Sequence, residues 1–149
     1  MVQSVVKRIA MLRRKTLSED QAKAWMRDGE LDEAARTDGD NVAVVLTQGW
    51  CPQWVSMNVW LNFMEKRNRP ADTDITVYQF VYDKVGFFDE FRRFKEHSLG
   101  NAEIPFVLYY KNGRLVDTTN YVTSHDFVVR FEHAEAGGGT AGRAADARR

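Results

Sequence analysis

The sequence contains a single cysteine, Cys51, in 149 residues, so no disulfide can form within the chain. Such scarcity fits a reducing compartment, and the cytoplasm is the default expectation. Neither sign of charge is in excess, with 21 Lys and Arg against 21 Asp and Glu. That balance gives no indication of nucleic acid or an anionic membrane as a partner. The stretch Asn41 to Val59 carries no charge, but Gln, Gly, Pro, Ser and Asn interrupt it, so it does not make a membrane span. Residues 1–15 hold their bases among and after the apolar residues, the reverse of a secretory signal. No glycine-rich phosphate loop occurs, and His97, His125 and His133 fall on different expected elements without metal-ligand spacing. No cofactor and no metal are therefore expected, and no serine–histidine–acid set can be argued from spacing.

What is present suffices for one domain. The chain is 44% hydrophobic and 12% aromatic, ample for one buried core. Charge is uneven along it: residues 1–15 hold Lys7, Arg8, Arg13, Arg14 and Lys15 with no acid, and residues 16–40 hold eight acids against three bases. Three parts are expected: a basic amino-terminal arm at 1–16, a folded domain at 17–134, and a tail at 135–149. The tail, GGGTAGRAADARR from Gly137, has no large apolar residue to offset its ordering entropy and is expected to be disordered.

Local patterns predict the elements. Ser18 with Gln21 is a capping box, opening a helix with Ala22, Trp25 and Met26 on one face, and Asp28-Gly29 ends or bends it. Val42 to Leu46 is an apolar, β-branched run suited to a strand buried on both faces. After a turn at Gly49–Pro52, Val55, Val59, Phe63 and Met64 recur at helical spacing to about Arg67, and Pro70 closes the segment. Ile75 to Tyr82 alternates like a second central strand. Phe87, Phe88, Phe91 and Phe94 give a helix an aromatic core face. Phe106 to Tyr110, Asn112-Gly113 and Arg114 to Thr118 make a hairpin, and Ser124 to His133 a final amphipathic helix. Strands alternating with helices and then a hairpin imply an α/β fold with a mixed sheet. The basic arm, around Val5 to Leu12, is expected to supply an edge strand.

Three segments resemble the thioredoxin family, in the same order and on the same elements. Trp50-Cys51-Pro52-Gln53-Trp54 is similar to the W-C-x-x-C turn between a buried strand and a helix. Glu103-Ile104-Pro105-Phe106 resembles the cis-proline segment, and Tyr110 to Val116 the hairpin that follows it. The resemblance spans roughly Val42 to Phe131. It implies a thioredoxin-like fold, a mixed central sheet flanked by helices that ends in a β-hairpin and a carboxy-terminal helix. It also implies Cys51 as the reactive group, with Trp50, Pro52, Gln53, Trp54, Ile104 and Pro105 around a bound partner. With a cis Ile104–Pro105 peptide, the Ile104 backbone would be free to pair with an extended substrate segment. Independently of the family, a cysteine just before a helix faces unpaired N–H groups and the positive end of the dipole, which favour the thiolate.

Two departures from the family matter. Trp54 stands where the second, resolving cysteine belongs, and Val45 where the family keeps a buried proton-relay aspartate. Dithiol release is therefore impossible, and a mixed disulfide at Cys51 must be resolved from outside or persist. Trp54 could shield the sulfur, offer a flat apolar surface, or plug space against Trp50. Two functions follow. One is monothiol thiol–disulfide chemistry with a protein or small-thiol disulfide partner, including a homodimer linked through Cys51. The C-P-x-x turn is also similar to monothiol glutaredoxins, although their other glutathione contacts are not recognisable here. The other is a redox-inert module that binds an extended peptide or protein in the same groove.

Overall fold

The computed structural model describes residues 12–67 and 74–136. The elements run β1 (Leu12–Thr16), α1 (Glu19–Asp28), α2 (Glu33–Arg36), β2 (Asn41–Thr47), α3 (Pro52–Arg67), β3 (Ile75–Val81), α4 (Phe88–Arg93), β4 (Phe106–Lys111), β5 (Arg114–Thr119) and α5 (Ser124–Ala136). A short 3₁₀ turn, Tyr82–Lys84, follows β3, and a π turn, Phe94–Ser98, extends α4. The strands form one five-stranded sheet in the order β1-β3-β2-β4-β5. β3 lies parallel to both β1 and β2, whereas β4 pairs antiparallel with β2 and β5. The expected mixed α/β sheet is the observed one.

β2 is buried along its whole length, as its unbroken apolar run requires. Its alternate residues serve two cores. Ala43 and Val45 face a cluster built with Trp54, Met57 and Leu61 of α3 and Phe127 and Phe131 of α5. Val42, Val44 and Leu46 face Trp25 of α1, Phe80 of β3 and Phe91 of α4. The Ser18 hydroxyl accepts from the Gln21 N–H at 3.0 Å and the Gln21 side chain accepts from the Ser18 N–H at 2.9 Å, the full capping box. The hairpin turns through Asn112 and Gly113, both with positive φ (51° and 82°), as a tight turn between right-twisted strands demands.

Three placements refine the sequence expectation. Among the described residues the edge strand is Leu12–Thr16, within the basic arm expected to supply it, and residues 1–11 lie outside the described residues. Its charged residues can sit there because an edge strand leaves one side open to solvent. The last helix continues to Ala136, past the boundary drawn at residue 134, while residues 137–149 of the tail and Pro70 are outside the described residues. In α3 the repeat Val55, Val59, Phe63 lies on the outer side and is more than half exposed. The buried face is Trp54, Met57 and Leu61, with Trp60 and Met64 partly covered. A helix apolar on several sides announces its length by periodicity but not its rotation.

Candidate functional site

α3 starts at Pro52, whose missing N–H and preset φ suit the first helical position. Cys51 is therefore the flanking residue: its carbonyl accepts the Val55 N–H at 3.0 Å, and its own N–H donates to Gln48 O at 3.2 Å. The sulfur points inward. Cys51 is only 4% exposed and belongs to the core cluster with Val45 and Trp54. A half-exposed thiol is the expectation from its place at a helix start; the loop carrying Ile104 covers it instead. The Sγ–H donates to the Ile104 carbonyl at 3.8 Å, and the Ile104–Pro105 peptide is cis.

The residues expected around the sulfur thus divide. Cys51 and Ile104 meet. Pro105 is buried behind them, and Pro52 and Gln53 are exposed at the start of α3. Trp50 is 65% exposed, with its indole N–H donating to Gln48 Oε1 at 2.6 Å. Trp54 is buried, 5% exposed, in the same core cluster as Cys51. Burial removes it as a surface for a partner. Val45 is fully buried among apolar neighbours, so no carboxylate is supplied at the relay position.

Polar residues that the motif does not contain fix both sides of the site. Gln48 Nε2 donates to the Tyr82 hydroxyl at 3.2 Å, and the Gly49 N–H donates to Asp83 Oδ1 at 3.0 Å. Glycine fits there because an added Cβ would come within 3.2 Å of Lys84 Cε. On the other side, Asn120 Nδ2 donates to Pro105 O at 3.0 Å and Glu103 O at 3.3 Å, and pairs reciprocally with the Asn101 amide at 3.1 Å. Lys95 donates to Glu103 O and Asn101 O, each at 2.7 Å. No local sequence signal marks Lys95, Asn101 or Asn120, because most of their acceptors are backbone carbonyls that only the packing of neighbouring loops brings within reach.

His97 and His125 are exposed. Among the described residues no group of three or more His, Cys, Asp or Glu could hold a metal ion, and no helix is long and apolar enough to cross a membrane.

No protein-family model matches the chain. No curated protein matches it in sequence. Solved structures do match. Thioredoxin O1 from Arabidopsis thaliana in the oxidized state superposes with a TM-score of 0.52 at 15% identity, covering 83% of this chain and 96% of that one. The long form of thioredoxin F from spinach chloroplast gives 0.51 at 12% identity, covering 89% and 93%. A thioredoxin variant from Halobacterium salinarum gives 0.50 at 13% identity, covering 84% and 89%. The chain has the thioredoxin fold.

Proposed function

We propose that this thioredoxin-fold chain is a monothiol thiol–disulfide protein of the cytoplasm, with Cys51 as its only attacking group. The Cys51 thiolate attacks one sulfur of a partner's disulfide. A new S–S bond forms as the old one breaks, and the displaced sulfur leaves as a thiolate that takes up a proton. An external thiol then attacks the partner's sulfur in the mixed disulfide, releases Cys51 as a thiolate, and stays joined to the partner. No step draws on a second thiol of this chain. The observation that carries this reading is a lone cysteine at the start of α3, held against the Ile104 carbonyl.

The partner is a protein or a small-thiol disulfide; nucleic acid and membrane have no part in it. Trp50, Pro52 and Gln53 would contact it on one side of the sulfur, and the Ile104–Pro105 backbone on the other. Trp54 packs in the core cluster that also holds Cys51. At 4% exposure Cys51 reacts only when the Ile104 loop shifts, which makes capture slow and selective. A homodimer linked through Cys51 would need two covered sulfurs drawn out together, so a partner with an accessible disulfide fits better.

Mass spectrometry of the protein incubated with a disulfide partner or mild oxidant tests this. A Cys51 adduct that vanishes with reductant is expected, and none with Cys51→Ser. If no adduct forms and Cys51→Ser keeps its function in cells, the second reading takes over. That reading, a redox-inert peptide-binding module, is favoured by one observation: Trp50 is held exposed by its bond to Gln48.

A further inference from the structure

Four tyrosines are buried, and three of them occupy their hydroxyls: Tyr78 on Asp38, Tyr82 on Gln48 and Tyr109 on Thr119. The fourth, Tyr110 on β4, is 6% exposed, and its hydroxyl makes no hydrogen bond among the described residues. A phenol taken out of water normally finds a partner, because leaving it unpaired costs stability. Tyr110 lines a cavity of about 320 Å³ between the end of α1, α2 and the β4–β5 hairpin. Trp25, Leu31, Leu99, Leu108 and Leu115 give that cavity apolar walls. Its volume falls at the lower end of the range for pockets that hold small molecules, about 300–1,000 Å³. Tyr110 belongs to the core cluster on one face of the sheet and Cys51 to the cluster on the other, so the cavity is separate from the sulfur.

A fixed cation lines the same cavity. Arg36 of α2 is anchored through two of its nitrogens: Nε donates to Leu31 O at 2.8 Å and Nη1 to Gly113 O at 3.0 Å. These bonds hold the guanidinium between α2 and the hairpin. Its Nη2 makes no hydrogen bond among the described residues, and Glu30 Oε2 stands 4.0 Å from it on a side chain that is 73% exposed. Burial raises the Tyr110 pKa, with Arg36 pulling it down and Glu30 pushing it up. The phenol therefore stays protonated at neutral pH, within electrostatic reach of both charges. An unpaired O–H and an unused guanidinium N–H beside leucine walls suit an acceptor with one negative charge on an apolar body. A carboxylate has that form, with one oxygen for each donor. A phosphate monoester would bring a second charge toward Glu30, with Arg36 alone held in place to meet it. Displacing Glu30 from Arg36 costs little, because so exposed a pair is weak. We propose that this cavity binds a small carboxylic acid with an apolar body, its carboxylate held by Tyr110 and Arg36.

Amide NMR of the full chain, titrated with hexanoate as the probe, tests the proposal. The Gly29, Gly113 and Leu115 amides are expected to shift and saturate, while those of Trp50 and Cys51 stay fixed. Hexan-1-ol has the same body without the carboxylate, and acetate the carboxylate without the body; each should bind at least about tenfold more weakly. Tyr110→Phe removes an oxygen that bonds to nothing in the described fold, so its unfolding temperature should not fall. Hexanoate affinity should nonetheless drop about tenfold, the loss of one hydrogen bond to a charged group. Arg36→Met should abolish binding, and if that variant does not fold, Tyr110→Phe decides alone. Cys51→Ser should bind hexanoate like the unaltered protein, whatever chemistry Cys51 performs. The absence of a saturable shift at the three cavity amides overturns the proposal. So does hexan-1-ol binding as tightly as hexanoate, or a Tyr110→Phe protein with undiminished affinity.

Discussion

The guanidinium of Arg14 on β1 lies over the ring of Trp54, 5.9 Å from its centre. Its Nη2 donates to Gln79 Oε1, its backbone N–H donates to Glu65 Oε2 at 3.1 Å, and burial lowers its pKa against the pull of Glu65. Trp54 is therefore a structural plug, capped by a cation from the sheet edge. Truncating it should cost what a core aromatic costs. Trp54→Ala is expected to destabilise the fold by about 3–5 kcal/mol. In a double-mutant cycle with Arg14→Met, the coupling should be about 0.5–2 kcal/mol, read from urea unfolding midpoints.

Restoring the thiol at that position should change the chemistry. Trp54→Cys places a second sulfur three residues after Cys51, on the same side of the first turn of α3. Mixed disulfides that persist in the unaltered protein should then be released by internal attack. On non-reducing gels the adduct band is expected to fade while an internal disulfide appears. Adducts of undiminished lifetime would contradict the view that the missing resolver is what makes capture persistent.

Trp50 gives the opposite kind of prediction. Because it is 65% exposed, Trp50→Ala should leave stability within about 0.5 kcal/mol. Partner capture should nonetheless fall, because a rigid exposed aromatic is lost beside the sulfur. Gln48→Leu frees the indole N–H and should weaken capture in the same direction but less. Adduct yield against thermal unfolding temperature separates the two effects.

Stability should have a distinct alkaline profile. The folded-state pKa of Lys95 is lowered to about 8 from 10.5, so between those values the unfolded chain binds more protons, and stability rises with pH. Tyr78 runs the other way. Burial, then its bond to Asp38, raise it to about 12 from 10.0, so above pH 10 the unfolded chain has lost a proton that the fold keeps, and stability falls. Unfolding midpoints should climb above pH 8 and decline beyond 10, with the climb absent in Lys95→Met.

At the acid end, Asp38 decides the direction. Its carboxylate is held below 3.8 by bonds to Lys15 and Tyr78, so it contributes stability above that value and loses it as pH falls through the folded pKa. Asp38→Asn should flatten this limb in acid unfolding. The carboxylate lies near the surface, so the effect should be small.

Much of the fold was legible locally. Val42 to Leu46 has the pattern of a strand buried on both faces, Ser18 and Gln21 that of a helix start, and Asn112-Gly113 that of a hairpin turn. Each of these signals resides in a few adjacent residues, where backbone geometry and burial leave one good solution. The order of the turn, the proline segment and the hairpin was legible through the resemblance to the thioredoxin family. The rotation of α3 was not. Val55, Val59 and Phe63 form as regular a stripe as Trp54, Met57 and Leu61, and only contact with β2 and α5 selects which one is buried.

The sequence by itself determined that Cys51 has no internal partner and that Val45 supplies no carboxylate, because composition and position alone decide both. It also determined that the cysteine precedes a helix, because Pro52 fixes the start of α3. Tertiary structure alone decided that the sulfur is covered, that Trp54 is buried in the core while Trp50 stands exposed, and that Lys95 donates to the loop that leads into Ile104. Those facts depend on residues brought together across the sheet and between loops. Burial and hydrogen bonding over such separations are settled by packing, which no local pattern records.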